Sequence, residues 1–216
     1  LLSLVDGRVS RGITTGLNDA FVLNSEERAE LVAKHPASDR IIVPYLGGRE
    51  VKRWHVDSSG NWLIKLESSA NVEHPWSGMA NREAEECFRK TWPAVFKRFT
   101  VGSMRQRLID RDDQGRYYWE LRSCKYWDEF FLPKIISTKI SSEPTFSVDT
   151  EGFVLANTSY FLQSDNSFYH AAVLNSSVSN YICRKVFASK QGGFYEVQPA
   201  PLEKFPIPDA LDEQKT

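Results

Sequence analysis

The apolar positions of this chain fall in short blocks, and the period within the blocks changes along the sequence. Residues 8–16 read as a strand running into a turn at Gly16, and "AFVL" (20–23) reads as a second short strand. Asn24 stands where a helix N-cap belongs, with Glu27 at the third helical position, which is a capping-box spacing. The helix "SEERAELVAKH" has to stop before Pro36, because proline disfavours helical geometry in the residue ahead of it. "RIIVPYLGGREVKRW" then gives an apolar strand, a Gly-Gly turn and a basic cluster, and "NWLIKL" (61–66) alternates as a strand.

Residues 80–111 are helical in character, acidic early and basic late, and Pro93 divides them into two or three helices. "DRDDQG" (110–115) reads as a turn and "RYYWELR" (116–122) as a strand. "PKIISTKI" (133–140) predicts a strand, and "TFSVDTEGFVLAN" (145–157) a hairpin turning at Asp149–Gly152. Residues 167–187 place apolar side chains at 174, 178, 181, 182 and 186, the spacing of one amphipathic helix. The proline-rich end, "YEVQPAPLEKFPIPDA", predicts extended chain. Short strands mixed with helices, and no repeat or linker, give an α+β class. The expected form is a single domain of mixed, mostly antiparallel small sheets with several helices, over residues 1–208. An acidic disordered tail, 209–216, would follow.

Composition narrows the function classes. The chain has 216 residues, 41% hydrophobic and 25% charged, the balance of a soluble globular protein. No apolar run reaches membrane-spanning length, and the first residues lack a basic n-region and a cleavage site, so a cytoplasmic protein is expected. There is no initiator Met, and a longer parent chain is expected. The three cysteines, Cys87, Cys124 and Cys183, are far apart, which speaks against both a disulfide framework and a zinc cluster. Net charge is -1, less basic than many DNA-binding domains. The charge is uneven, however: Lys97–Ile140 holds ten Lys and Arg against six Asp and Glu.

Catalytic motifs fail one after another. "RGITTGLNDAFVLN" has two glycines and two threonines but neither a dinucleotide fingerprint nor a P-loop lysine. "DRDDQG" mimics the start of a calcium loop, yet its twelfth position is Leu121 where a bidentate Glu belongs. "PDALDEQK" carries scattered nuclease-like carboxylates inside the acidic tail. The histidines form no metal pair, and no nucleophile elbow exists. The expectation is a chain that binds and does not catalyse, with no metal and no cofactor of its own.

Six stretches in order resemble the TaqI-like C-terminal specificity domain of DNA adenine-N6 methyltransferases and of fused type IIG restriction–modification enzymes. They are "RGITTGLNDAFVL", "IIVPYLGGREVKRW", "NWLIKL", "WELRSCKYWDEFFLPKIIS", "AAVLNSSVSNYICR" and "GGFYEVQPAPLEKFPIP". The resemblance runs from about residue 11 to about 208 and includes a Leu-x-x-Arg element at Leu108 and Arg111. The stretch "SGMANREAEECFRKTWPAVFKRF" departs from it. It implies a target-recognition domain for double-stranded DNA, with an N-terminal methyltransferase domain in the same polypeptide. That domain would hold S-adenosylmethionine and an Asn-Pro-Pro-Tyr motif, neither of which this sequence can supply.

The expected DNA-contacting residues are Arg49, Lys52, Arg53, Arg122, Lys134, Lys139, Lys190 and Gln191. Basic side chains neutralise phosphates or read guanine, and Gln pairs with adenine in the major groove. Lys134 stands out because a lysine opening an apolar strand needs a reason. Against these roles stand plain alternatives: a surface cluster around Trp54 for the first three, and a flexible loop for Lys190 and Gln191. Trp119, Tyr126, Trp127 and Phe131 are expected in the core. A protein-interaction module within a defence complex is the alternative function; a small-molecule enzyme would need convergent titratable groups that are not evident.

Overall fold

A computed structural model describes residues 9–58 and 60–208. The fold is mixed α+β, with helices and three small, mostly antiparallel sheets. The chain divides into two compact units, each discontinuous in sequence. Unit 1 holds Leu1–Ile13, Leu46–Ser59 and Asp128–Thr216; unit 2 holds Thr14–Tyr45 and Gly60–Trp127. The acidic tail 209–216 lies outside the described residues.

In unit 2 the capping box forms as its spacing predicts. Asn24 Oδ1 accepts from Glu27 N at 2.9 Å and Glu27 Oε2 accepts from Asn24 N at 3.0 Å, opening the helix Ser25–Lys34. The strands Val22–Leu23, Trp62–Ile64 and Ile42–Leu46 pair antiparallel around the central Trp62–Ile64. Residues 80–111 give three helices, Asn81–Thr91, Pro93–Thr100 and Met104–Asp110, with Pro93 at a helix start where its missing N–H costs nothing.

Two strand expectations in this unit are corrected. Ala20 and Phe21 are helical, in the short helix Asn18–Phe21, and only Val22–Leu23 is strand. The cause is Arg98, whose guanidinium collects the carbonyls of Asp19, Ala20 and Val22 at 2.8, 2.9 and 3.1 Å. Residues 116–122 form a turn and no strand, because Glu120 is drawn fully inside. Its carboxylate accepts from Trp76 Nε1, Ser69 N and Arg116 N, each at 2.9 Å, and from the Ser69 hydroxyl. Around it Trp119 stacks between Tyr117 and Phe88, centroids 4.8 and 5.0 Å away. A buried charge satisfied this fully outweighs the β-propensity of Tyr-Tyr-Trp.

Unit 1 is built on a four-stranded antiparallel sheet in the order Ser10–Arg11, Ser159–Leu162, Lys134–Thr138, Phe146–Asp149. A smaller sheet joins Ala188–Ser189, Tyr195–Glu196 and Ile140–Ser141. The predicted hairpin 145–157 keeps its turn, with Gly152 at φ 78°, but Phe146–Asp149 pairs with Lys134–Thr138 and not with Val154–Leu155. Residues 167–187 form two helices, Ser167–Leu174 and Ser177–Val186. Asn175 ends the first, and its side chain clamps Phe146 through both backbone groups, at 3.0 and 2.8 Å. The buried face is Ala171, Leu174, Ser179 and Cys183, with Ile182 packed against the core, so of the predicted apolar positions 174 and 182 face in while Val178, Tyr181 and Val186 are exposed. The proline-rich end is partly helical at Pro199–Glu203. Its Leu202, Phe205 and Ile207 close the core over Ile135, Leu162 and Tyr195.

The opening motif is scaffold. A Cβ on Gly12 would fall 2.0 Å from Ala156 O, so only glycine lets these backbones meet. Gly16 has φ 69°, the left-handed region that favours glycine.

Candidate nucleic-acid interface

Lys134 has the reason its sequence context demanded, and that reason is structural. Its side chain is fully buried, with Nζ 2.5 Å from Asp149 Oδ2 and 2.5 Å from Phe130 O. Burial draws its ammonium pKa down while Asp149 opposes the shift. Asp149 also accepts from the backbone of Glu151, Gly152 and Phe153, so the pair locks the turn that follows. Such a lysine has no surface to offer a phosphate, and it leaves the candidate set on that ground.

Much of the basic excess in 97–140 is likewise turned inward or paired. Arg111, 7% exposed, donates to the carbonyls of Thr15, Tyr118 and Glu120 and lies 4.5 Å over the Phe21 ring. Burial lowers its guanidinium to about 10, against the pull of Asp113. Arg105 pairs with Glu85 and Arg107 with Asp19. Arg122 is exposed on unit 2, 3.1 Å from Asp113. Trp119 and Trp127 are in the core as expected, but Phe131 is 41% exposed.

The remaining candidates all lie on unit 1. Lys52 and Arg53 belong to a hairpin loop closed by the Val51–Val56 bridge and by Asp57 N donating to Glu50 O at 2.8 Å, and Arg49 lies just ahead of it. The Gly-Gly turn ahead of it does approach a backbone closely, that of Thr158, whose hydroxyl accepts from Gly48 N at 3.0 Å. Lys52 N donates to His55 O at 3.0 Å, making a four-residue tip, Lys52–His55, with all four side chains exposed. The third position of that tip, Trp54, has φ 79°, and among the described residues it is the sole non-glycine in the left-handed region. That conformation costs an L-residue about 1–2 kcal/mol.

Polar contacts tie this loop to neighbouring segments of the same unit. Arg53 Nη2 donates to Asn175 O at 2.6 Å, and its Nη1 lies 3.7 Å from Glu143. Next to Glu143, Ser142 O accepts from Arg184 Nη2 at 2.8 Å, and Arg184 also reaches Gly193 O at 3.5 Å. Gly193 belongs to the loop that displays Lys190 and Gln191. Lys190 and Lys139 share Glu196, at 2.7 and 3.3 Å, and hold its carboxyl below the usual range, Lys190 chiefly. Six sequence-predicted residues and Arg184 therefore fall on linked segments of one unit. Arg184 was missed because its helix reads as an amphipathic core element, in which a basic residue late in the helix looks like ordinary end-charge complementarity.

Lys52 Nζ donates to Arg49 O at 2.6 Å and lies 4.0 Å from Asp57, so Lys52, Arg53, Lys139, Arg184 and Lys190 are each paired, with Trp54 and Gln191 exposed on the same unit. Among the described residues no three His, Cys, Asp or Glu side chains gather as a metal site. No helix of the described residues is long and apolar enough to cross a membrane. The chain belongs to the TaqI-like C-terminal specificity domain family, which matches residues 43–207. Its fold is similar to part of a solved structure, that of the type IIL restriction–modification enzyme MmeI in complex with DNA, with TM-score 0.59 and 12% identity. That likeness covers 96% of this chain and 26% of the enzyme chain. No curated protein sequence matches. The first stretch of the sequence resemblance, 11–23, lies ahead of the family match.

Proposed function

We propose that this chain is the sequence-specific, double-stranded DNA recognition domain of an adenine-specific DNA methyltransferase or restriction–modification enzyme. The observation that carries the reading is the linked basic edge of unit 1, on a chain of the specificity-domain family. Arg49, Lys52, Arg53, Lys139, Arg184 and Lys190 supply charge for phosphates, which position a protein on the duplex without reading it. Gln191, carried on a glycine-rich loop, supplies the paired donor and acceptor that suit an adenine edge. Arg122 is a separate phosphate candidate on unit 2. Methyl transfer is assigned to an N-terminal domain of the same polypeptide, together with S-adenosylmethionine; no step of it is assigned to residues of this chain.

The test is fluorescence anisotropy of the 216-residue chain with a labelled random-core duplex pool, titrated across a salt series. Binding at low salt that weakens linearly in log[salt] is expected, because each neutralised phosphate releases counterion. No affinity for any duplex at low salt overturns the reading and favours a protein-interaction module. An Asn-Pro-Pro-Tyr motif in the parent chain, upstream of Leu1, is the further expectation.

A further inference from the structure

Trp54 joins a left-handed backbone to an exposed indole. Its backbone sits at φ 79° in a tip where a glycine would fit without strain. The residue is 56% exposed, and the Arg53 guanidinium lies 5.3 Å from its ring centroid. An indole this open contributes little internal packing. Yet the tip is held firmly. Trp54 N donates to Phe146 O at 3.1 Å, the same carbonyl that Asn175 Nδ2 engages, and Arg53 fixes the carbonyl of Asn175. Val51, at the base of the loop, is buried. The surrounding structure thus over-determines a strained conformation whose visible product is an exposed aromatic ring beside the Arg53 guanidinium. Strain of this kind collects at ligand contacts.

We infer that Trp54 is a base-stacking residue. Its indole packs on the face of a nucleobase exposed at an opened step of the bound duplex, while Arg49, Lys52 and Arg53 hold the adjoining phosphates. The inference rests on the DNA-recognition reading and adds to it a contact that charge alone does not provide. Stacking tolerates any base, since every base offers a π face, so Trp54 strengthens binding and favours steps that unstack easily more than it reads letters. The Arg53 guanidinium beside the ring can extend the stack as a planar cation.

The experiment compares wild-type chain with Trp54→Gly and Trp54→Phe. Three readouts are taken: anisotropy with the random-core duplex pool, anisotropy with labelled heparin, and the thermal midpoint. Heparin has the charge of a polyanion and no bases. Trp54→Gly is expected to bind duplex about tenfold more weakly or worse. Its heparin affinity should be unchanged and its midpoint no lower, because glycine relieves the left-handed backbone. Trp54→Phe should stay within about threefold of wild type for duplex, since the phenyl ring keeps a π face. Wild-type tryptophan emission should be quenched by duplex, with that component missing in Trp54→Gly. Duplex affinity unchanged in Trp54→Gly overturns the stacking role and leaves the DNA-recognition reading standing. An equal loss for duplex and heparin overturns it too, because the ring would then act through charge placement or folding. A wild-type chain that binds no duplex removes both.

Discussion

In unit 2, Arg98 and Arg111 give their guanidiniums to three backbone carbonyls each, and Glu120 gives its carboxylate to the donors of a tryptophan, a serine and a turn. In unit 1, Arg53 and Arg184 also bond carbonyls, but each stays exposed and keeps donor capacity for a partner. The same residue types act as internal staples in one unit and as an outward surface in the other. What separates them is burial: Arg111 is 7% exposed among the turn carbonyls it bonds, whereas Arg53 and Arg184 reach loop carbonyls from the surface, as Arg105, Arg107 and Arg122 of unit 2 reach their acidic partners.

The largest expected effect strikes the staples. Glu120→Ala strands the donors of Trp76, Ser69 and Arg116 in the interior, and a loss of about 4 kcal/mol of stability is expected by urea unfolding. A loss under about 1 kcal/mol would mean that the carboxylate is not what holds unit 2. Next comes Lys134→Met, which leaves the Asp149 carboxylate buried without its cation; about 3 kcal/mol is expected. The double change Lys134→Met with Asp149→Asn should recover part of that. At temperatures where Lys134→Met stays folded, its duplex affinity and salt slope should match wild type, because the side chain has no access to solvent.

The smallest effects on stability, and the most telling for the comparison, concern exposed arginines. Arg184→Ala should leave the thermal midpoint nearly in place while reducing the slope of log K against log[salt] by about 1. Arg122→Ala, on unit 2 and paired with Asp113, provides the contrast. If Arg122→Ala flattens the slope and Arg184→Ala does not, the DNA-facing surface belongs to unit 2 and the division of labour drawn above is reversed.

Local chemistry made parts of this molecule legible in the sequence. The Asn24–Glu27 box, the stop before Pro36, the three helices broken at Pro93 and the strand opened by Lys134 all depend on neighbours within a few residues. The basic cluster Arg49, Lys52 and Arg53 and the loop at Lys190–Gln191 were visible as composition. The failures have a common cause. Residues 116–122 have strand propensity, but propensity carries at most about 1 kcal/mol per residue and gives way to a buried carboxylate with several donors. The apolar positions 178, 181 and 186 have helical spacing, yet spacing does not say which face the sheet will cover. Lys134 looked like a phosphate ligand because its partner, Asp149, is fifteen residues away and nothing local announces it.

The sequence by itself determined the α+β class, most element positions, the family resemblance and the set of exposed-looking cations, because each is written in adjacent residues. Only the tertiary structure decided which cations are staples and which are surface, that Arg184 joins the latter, and that Trp54 stands in a strained turn facing out. Those outcomes turn on burial and on long-range partners for backbone groups, and a linear chain does not display either until it is folded.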